Sequence, residues 1–286
     1  MGTITEYESE QVTTANALGK TPVVFIHGLW LLPSSWDPWA GVFEAAGYAP
    51  LTPGWPDDPR SVGEARRTPE VFAGKGVAQV ADHFAEVIGA LERKPVIVGH
   101  SFGGLIAQIL AGRGLSVATV AVDPAPFRGV LPLPLAALRS TFPVLANPAN
   151  RGRAVTLSFE QFRYSWANGV TEEEARRLYD SFHVAAPGKP IFQAAVANLN
   201  PASELKVDTK NPDRGPLLLF TGEVDHAVPP AMSRAAYKKQ RRNPGTTEHV
   251  EMPGRGHSLV IDEGWREVCD ASLEFVGRFA PVAAAD

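Results

Sequence analysis

The sequence predicts an α/β protein, a doubly wound and mostly parallel sheet with a helical cap insertion above its carboxyl edge. Three observations predict it: short, nearly continuous apolar runs alternate with segments of helical period, the alternation stops between residues 127 and 207, and it resumes at Leu217. Strands apolar on both sides suit a parallel sheet covered by helices on both faces. Their alternation with helices implies right-handed crossovers in one sheet.

The strand candidates, in chain order, are VVFI (23–26), YAPLT (48–52), PVIV (95–98), VATVAVD (117–123), LLLFT (217–221) and TEHVEM (247–252). No clear pair of strands precedes Pro22. Val77, Val80, Ala81, Phe84, Ile88 and Leu91 form one apolar helical stripe, and a second helix follows Ser101 through Leu105, Ile106, Ile109 and Leu110. The last helix carries Trp265, Val268, Cys269, Ser272, Phe275, Val276 and Phe279. Cys269, the single cysteine, therefore reads as a small core hydrophobe, and no intrachain disulfide is possible. The insertion begins proline-rich (RGVLPLPLAALRSTFPVLANP) and continues with TEEEARRLYDSF, in which Thr171 is a candidate helix N-cap. This divides the chain into a core of residues 1–126 and 208–286 and a cap of residues 127–207. The tail PVAAAD is expected to be disordered.

With 286 residues, 44% hydrophobic and 20% charged, and a net charge of −4, the chain is long enough for a substantial core and has no basic footprint for nucleic acid. The basic run KKQRR (238–242) reads as the solvated face of a helix. MGTITEYESE has neither the basic nor the apolar part of a secretory leader, and Glu6 stands where a myristoylation signal needs Ser or Thr. No apolar run approaches the ~20 residues of a membrane span. The expectation is a cytoplasmic protein with no membrane span. The histidines lack the paired spacing of a zinc site, so no metal is expected.

The chemistry centres on VIVGHSFGG (96–104). The pattern G-x-S-x-G alone arises by chance in about one chain of this length in ten. Its setting makes it specific, because the serine falls in a sharp turn between a predicted strand and a predicted helix. Such a turn strains the serine backbone and projects its hydroxyl above the sheet, and side chains at Gly99 and Gly103 would clash. The helix start supplies free N–H groups beside the hydroxyl.

GHSFGG resembles the nucleophile elbow of the α/β-hydrolase family, whose triad runs nucleophile, acid, histidine along the chain. FTGEVDHAVP resembles the family's acid loop and supplies Asp225, MPGRGHS resembles its Gly-His motif and supplies His257, and FIHGLW resembles its oxyanion loop. The resemblance thus implies a catalytic set of Ser101, Asp225 and His257, with the backbone N–H groups of Leu29 and Phe102 as oxyanion donors and Trp30 a poorer one. Serine at the elbow argues against the dehalogenase and epoxide-hydrolase branches, which use aspartate there, and no cofactor is implied. Asp123, in VDPAP after a strand end, stays open as a rival acid.

Trp30, Phe127 and Trp166 are the substrate-contact candidates, while Trp36 and Trp39 read as core. Phe142, Phe159, Phe162, Phe182 and Phe192 read mostly as the insertion's own packing. His27 and His100 belong to turn motifs and His83 and His249 to a helix and a strand, while His183 and His226 read as surface residues with the pocket wall as the alternative. The expected activity is hydrolysis of a small, largely apolar carboxylic ester through an acyl-enzyme. Lactonase, amidase, carbon–carbon hydrolase, hydroxynitrile lyase and perhydrolase chemistry are rivals on the same fold. A hydrolase-derived receptor is a rival of another class.

Overall fold

A computed structural model describes residues 4–282 of the protein. The PVAAAD tail lies outside the described residues from residue 283 onward. Before the first strand the chain forms a helix, α1 (Glu6–Leu18), opened by a capping box between Thr5 and Glu8 and closed by Gly19 in the left-handed region. The strands that follow are β1 (Pro22–Ile26), β2 (Ala49–Leu51), β3 (Val96–His100), β4 (Ala118–Val122), β5 (Ala154–Val155), β6 (Ala186–Pro187), β7 (Leu217–Gly222) and β8 (Thr247–Met252). Six of them form one sheet in the order β2-β1-β3-β4-β7-β8, parallel throughout. All six candidate strands are therefore present in one sheet. Every residue of β1, β3, β4 and β7 is buried, as continuous apolar runs require.

The helices after α1 are α2 (Asp37–Ala45), α3 (Val62–Arg67), α4 (Val77–Gly89), α5 (Phe102–Gly112), α6 (Leu135–Leu145), α7 (Phe159–Ser165), α8 (Glu172–Phe182), α9 (Lys189–Val196), α10 (Pro230–Gln240) and α11 (Trp265–Phe279). Helix α5 packs on β1, β3 and β4 and is buried over its whole length. Cys269 on α11 is buried, and burial pushes its thiol up to about 12, which fits an inert core role.

Helices α6 to α9 occupy the break in the strand rhythm, with only the two-residue antiparallel pair β5–β6 among them. The Thr171 hydroxyl accepts from the Glu174 N–H at the start of α8, as its sequence position predicts. Two expectations change here. Phe159 and Phe162 pack, but into the same continuous apolar core as the sheet, whereas Phe142 is exposed. His183 is not at the surface: it is buried, stacked on Tyr179, and pushed down to about 3 by loss of solvent, so it is neutral. Among the described residues no helix is long and apolar enough to cross a membrane.

Candidate active site

Ser101 lies between the end of β3 and the start of α5 with φ 54° and ψ −121°, a conformation that costs a non-glycine residue about 1–3 kcal/mol. Hydrogen bonds hold it there: its N–H donates to the Val122 carbonyl, and its own carbonyl accepts from the N–H groups of Leu105 and Ala125. Crowding around this turn admits only glycine at two positions. A Cβ on Gly99 would stand 2.2 Å from the Gly103 carbonyl oxygen, and one on Gly103 would stand 2.1 Å from that of Ile26. The Gly103 contact shows why the elbow sits so tightly on β1.

His257 follows β8, and Asp225 follows β7. The Ser101 hydroxyl donates to His257 Nε2 at 2.9 Å, while His257 Nδ1–H donates to Asp225 Oδ2 at 2.7 Å. The other carboxylate oxygen of Asp225 accepts from the N–H groups of Ala227 (2.7 Å) and Val228 (2.9 Å). Asp225 is thereby fixed by its own loop, and it fixes the imidazole tautomer that leaves Nε2 free to accept. All three side chains are buried. Trp166 meets the His257 ring edge-on, with centroids 4.7 Å apart, and the His100 ring lies 4.8 Å from it on another side.

His100 donates from Nε2 to the His257 carbonyl at 2.9 Å, and among the described residues its buried Nδ1 has no hydrogen-bond partner. Burial, then the neighbouring His257, hold it well below the usual histidine range, so it stays neutral. Asp123 is fully buried: one oxygen accepts from the Gly222 N–H at 2.7 Å, and among the described residues the other has no hydrogen-bond partner. Burial and the adjacent charge of Asp225 push its carboxyl well above the usual range, so it carries a proton. His100, Asp123 and His257 present ligand-type atoms within 4.8 Å of one another. Both ring nitrogens of His257 are already engaged, which leaves too few free donors to hold an ion.

The HGLW loop packs directly on the elbow, since a Cβ on Gly28 would stand 2.8 Å from Ser101 Cβ. Among the described residues the backbone N–H groups of Leu29 and Phe102 make no hydrogen bond to the protein. Beneath this loop lies a buried network that the sequence reading missed. His27 is held between the Gly28 carbonyl (2.8 Å from Nδ1) and the Asp58 carboxylate (2.8 Å from Nε2), and the Trp55 indole donates to the His27 carbonyl. Lys75 is buried with its ammonium 3.9 Å from Asp58. The turn-rich PGWPDDP (53–59), with two adjacent acids beside a tryptophan, was the available signal.

Above Ser101 and His257 opens a cavity of about 340 Å³ with no Asp, Glu, Lys or Arg in its wall. Trp30, Phe127 and Trp166 all line it, joined by aliphatic residues such as Val130, Leu138, Ile191 and Met232 that were not singled out in the sequence. Trp30 has φ 62° and is anchored by its indole N–H to the Val155 carbonyl at 3.0 Å. His226 is not part of the wall, and its Nδ1 donates to the Tyr164 carbonyl.

A parallel six-stranded sheet with a strained serine between strand and helix defines the α/β-hydrolase class of protein. The sequence matches the profile of the alpha/beta hydrolase family over residues 23–271, and the chain belongs to that family. Many solved structures share the fold, and three serve as examples. They are a monoacylglycerol lipase of Paleococcus ferrophilus (20% identity, TM-score 0.62, covering 90% of this chain and 94% of that one), a thermophilic esterase of Thermogutta terrifontis (18%, 0.62, 91% and 90%) and a methylesterase of Arabidopsis (14%, 0.62, 90% and 99%). Compared by sequence with curated proteins, the chain matches none.

Proposed function

We propose that the protein is a serine hydrolase of carboxylic esters, and that Ser101, His257 and Asp225 carry the reaction. The observation that supports this most directly is the unbroken chain of hydrogen bonds from Ser101 to His257 to Asp225. As Ser101 Oγ bonds to the ester carbonyl carbon, its proton passes to His257 Nε2 and the carbonyl electrons move onto oxygen. Asp225 stabilises the imidazolium so formed. The N–H groups of Leu29 and Phe102 bind the oxyanion, each worth roughly 3–4 kcal/mol in the transition state. Collapse expels the alkoxide, which takes the proton from His257. Water then attacks the acyl-enzyme along the same route, yielding the acid and restoring Ser101. No cofactor enters these steps.

Residues 127–207 serve in this reading as a cap that roofs the cavity, with Trp30, Phe127 and Trp166 as substrate walls. The uncharged lining selects an apolar small-molecule ester over a charged one. The test is an organophosphonate probe together with a series of nitrophenyl esters. Expected are one adduct per chain, on the peptide containing Ser101, and loss of both labelling and turnover in Ser101→Ala. Labelling that persists in that variant would remove the mechanism.

A further inference from the structure

The rim of the cavity presents large apolar side chains to solvent. On α6, Leu135, Leu138, Arg139 and Phe142 fall at i, i+3, i+4 and i+7 and so share one face. That face is the outer one: Leu135 is 83% and Phe142 66% exposed, whereas the small residues Ala137 and Ser140 point inward with Val144. The helix is therefore turned inside out relative to a helix that covers a core. In the segment leading into it, Leu131 (74%) and Leu133 (63%) alternate with prolines and are exposed as well. Across the opening, Val196 ends α9 and Leu199 follows it at 84% exposure. Helices α6 and α9 are in contact, and Leu131, Leu133 and Leu138 line the same cavity as Ala194 and Asn198. Of the twelve exposed large hydrophobic residues among the described residues, seven lie in these two segments. Single exposed leucines need no explanation, but a cluster around a cavity mouth marks a binding surface.

Charge identifies what binds. The chain as a whole is acidic, at −4, yet residues 124–159 hold Arg128, Arg139, Arg151 and Arg153 and no acidic residue. Residues 181–203 hold Lys189 and again no acid. Arg139, Arg151 and Arg153 are exposed, and among the described residues none forms an ion pair. An apolar face flanked by unpaired arginines is complementary to an anionic lipid surface, which offers hydrocarbon beneath negative headgroups. A second copy using the same face would bring two basic patches together with no acidic residue in either segment to pair with them, which disfavours self-association.

We propose that this rim docks the protein on an anionic lipid surface, with Leu135, Phe142 and Leu199 among the acyl chains, and that the ester substrate enters the cavity from that lipid phase. The second half rests on the ester-hydrolase reading; the docking itself does not. The cavity opens within the apolar rim, so an acyl chain would pass from hydrocarbon to Ser101 without crossing water.

The experiment is flotation of the intact protein with vesicles of phosphatidylcholine alone or mixed with phosphatidylglycerol, at two salt concentrations. The protein should float with the anionic vesicles and do so less at high salt. The variant Leu135→Ser/Phe142→Ser/Leu199→Ser alters no residue that lines the cavity; it should lose at least about tenfold in vesicle binding. Arg139→Gln/Arg151→Gln should lose about fivefold per arginine on anionic vesicles only. Both should hydrolyse a water-soluble nitrophenyl acetate at the parental rate, which establishes that they are folded. Failure of the parent to float, or undiminished flotation of the triple variant, would overturn the docking. A parent dimer in sedimentation that the triple variant turns into monomer would overturn it in favour of a self-interface. A parent that floats but cleaves no ester would leave the docking standing and refute the substrate half together with the ester-hydrolase reading.

Discussion

Asp123 and Asp225 follow the ends of adjacent parallel strands, β4 and β7, yet only Asp225 touches the imidazole of His257, at 2.7 Å. The difference lies in the turns. Asp123 takes φ 41° at the strand end and spends one oxygen on the Gly222 N–H. Asp225 lies three residues beyond its strand, where the N–H groups of Ala227 and Val228 turn its carboxylate toward the histidine. A pair of carboxyls this close does not carry two charges cheaply, and Asp123, buried like Asp225 but with fewer N–H donors around it, keeps its proton.

The two acids should separate on mutation. Asp225→Asn should lose about 10³–10⁴-fold in kcat, because the amide cannot stabilise the imidazolium or hold the correct tautomer. Asp123→Asn should lose no more than about tenfold, since the group it replaces is already neutral. Steady-state kinetics on one nitrophenyl ester, with circular dichroism to confirm folding, measures both. Reversed magnitudes would reassign the acid to Asp123.

Asp123→Asn should also stabilise the protein at neutral pH. A carboxyl whose folded pKa is raised keeps its full contribution below the unfolded value of about 3.9 and loses it as pH rises toward the folded value. At neutral pH the wild-type unfolded chain gains free energy by releasing this proton, and the asparagine variant removes that gain. The variant should have the higher urea midpoint at pH 7, with the difference shrinking as the pH approaches 4. A wild type equally or more stable at pH 7 would show that Asp123 is ionised in the fold.

The legible parts of this molecule are those where one local rule dominates. Strands β1, β3, β4 and β7 are buried on both faces, so continuous apolarity announced them, and the glycines around Ser101 announced a crowded turn. Helix α1 was not legible because its buried residues are only Glu8, Val12 and Ala15, too few for an apolar stripe. Glu8 is buried because its carboxylate meets His83 on α4 at 2.8 Å, a contact between residues distant in sequence. The His27–Asp58 pair under the HGLW loop escaped for the same reason. A histidine is more often exposed than buried, so His183 reads as a surface residue even within the apolar run FHVAAP; the rings of Tyr179 and Phe162 that bury it come from α8 and α7.

Gly103→Ala should be far more damaging than an ordinary glycine substitution on a helix. Gly103 is the second residue of α5, where alanine is otherwise the better helix former by about 1 kcal/mol. Its Cβ would stand 2.1 Å from the Ile26 carbonyl, however, and backbone on β1 cannot give way as a side chain can. The elbow would have to lift off the sheet. The variant should lose about 3 kcal/mol or more of stability, and any folded fraction should react slowly with a phosphonate probe. Wild-type stability and labelling would mean that this close approach does not hold.

Trp166 was expected to act as a substrate wall, and the structure gives it a second contact that changes the outcome of removing it. Its buried indole stands edge-on to His257 at 4.7 Å, meets His100 at 5.2 Å and stacks on Phe162. Trp166→Ala would leave a void beside the imidazole, at a cost of about 3–5 kcal/mol in stability, and free the ring to rotate away from Ser101. The expected result is a fall in kcat of about tenfold across short and long esters alike, with phosphonate labelling of Ser101 slowed in step. Trp166→Phe, which keeps an aromatic edge near the ring, should recover much of both. Leu138→Ala is the contrast, because Leu138 lines the cavity and is no part of the hydrogen bonds that join Ser101, His257 and Asp225. It should change the ratio of kcat/KM between long and short acyl esters by about 5–10-fold while labelling proceeds normally. If Trp166→Ala instead shifts only that ratio and leaves labelling untouched, the indole is a substrate wall alone and His257 keeps its position without it.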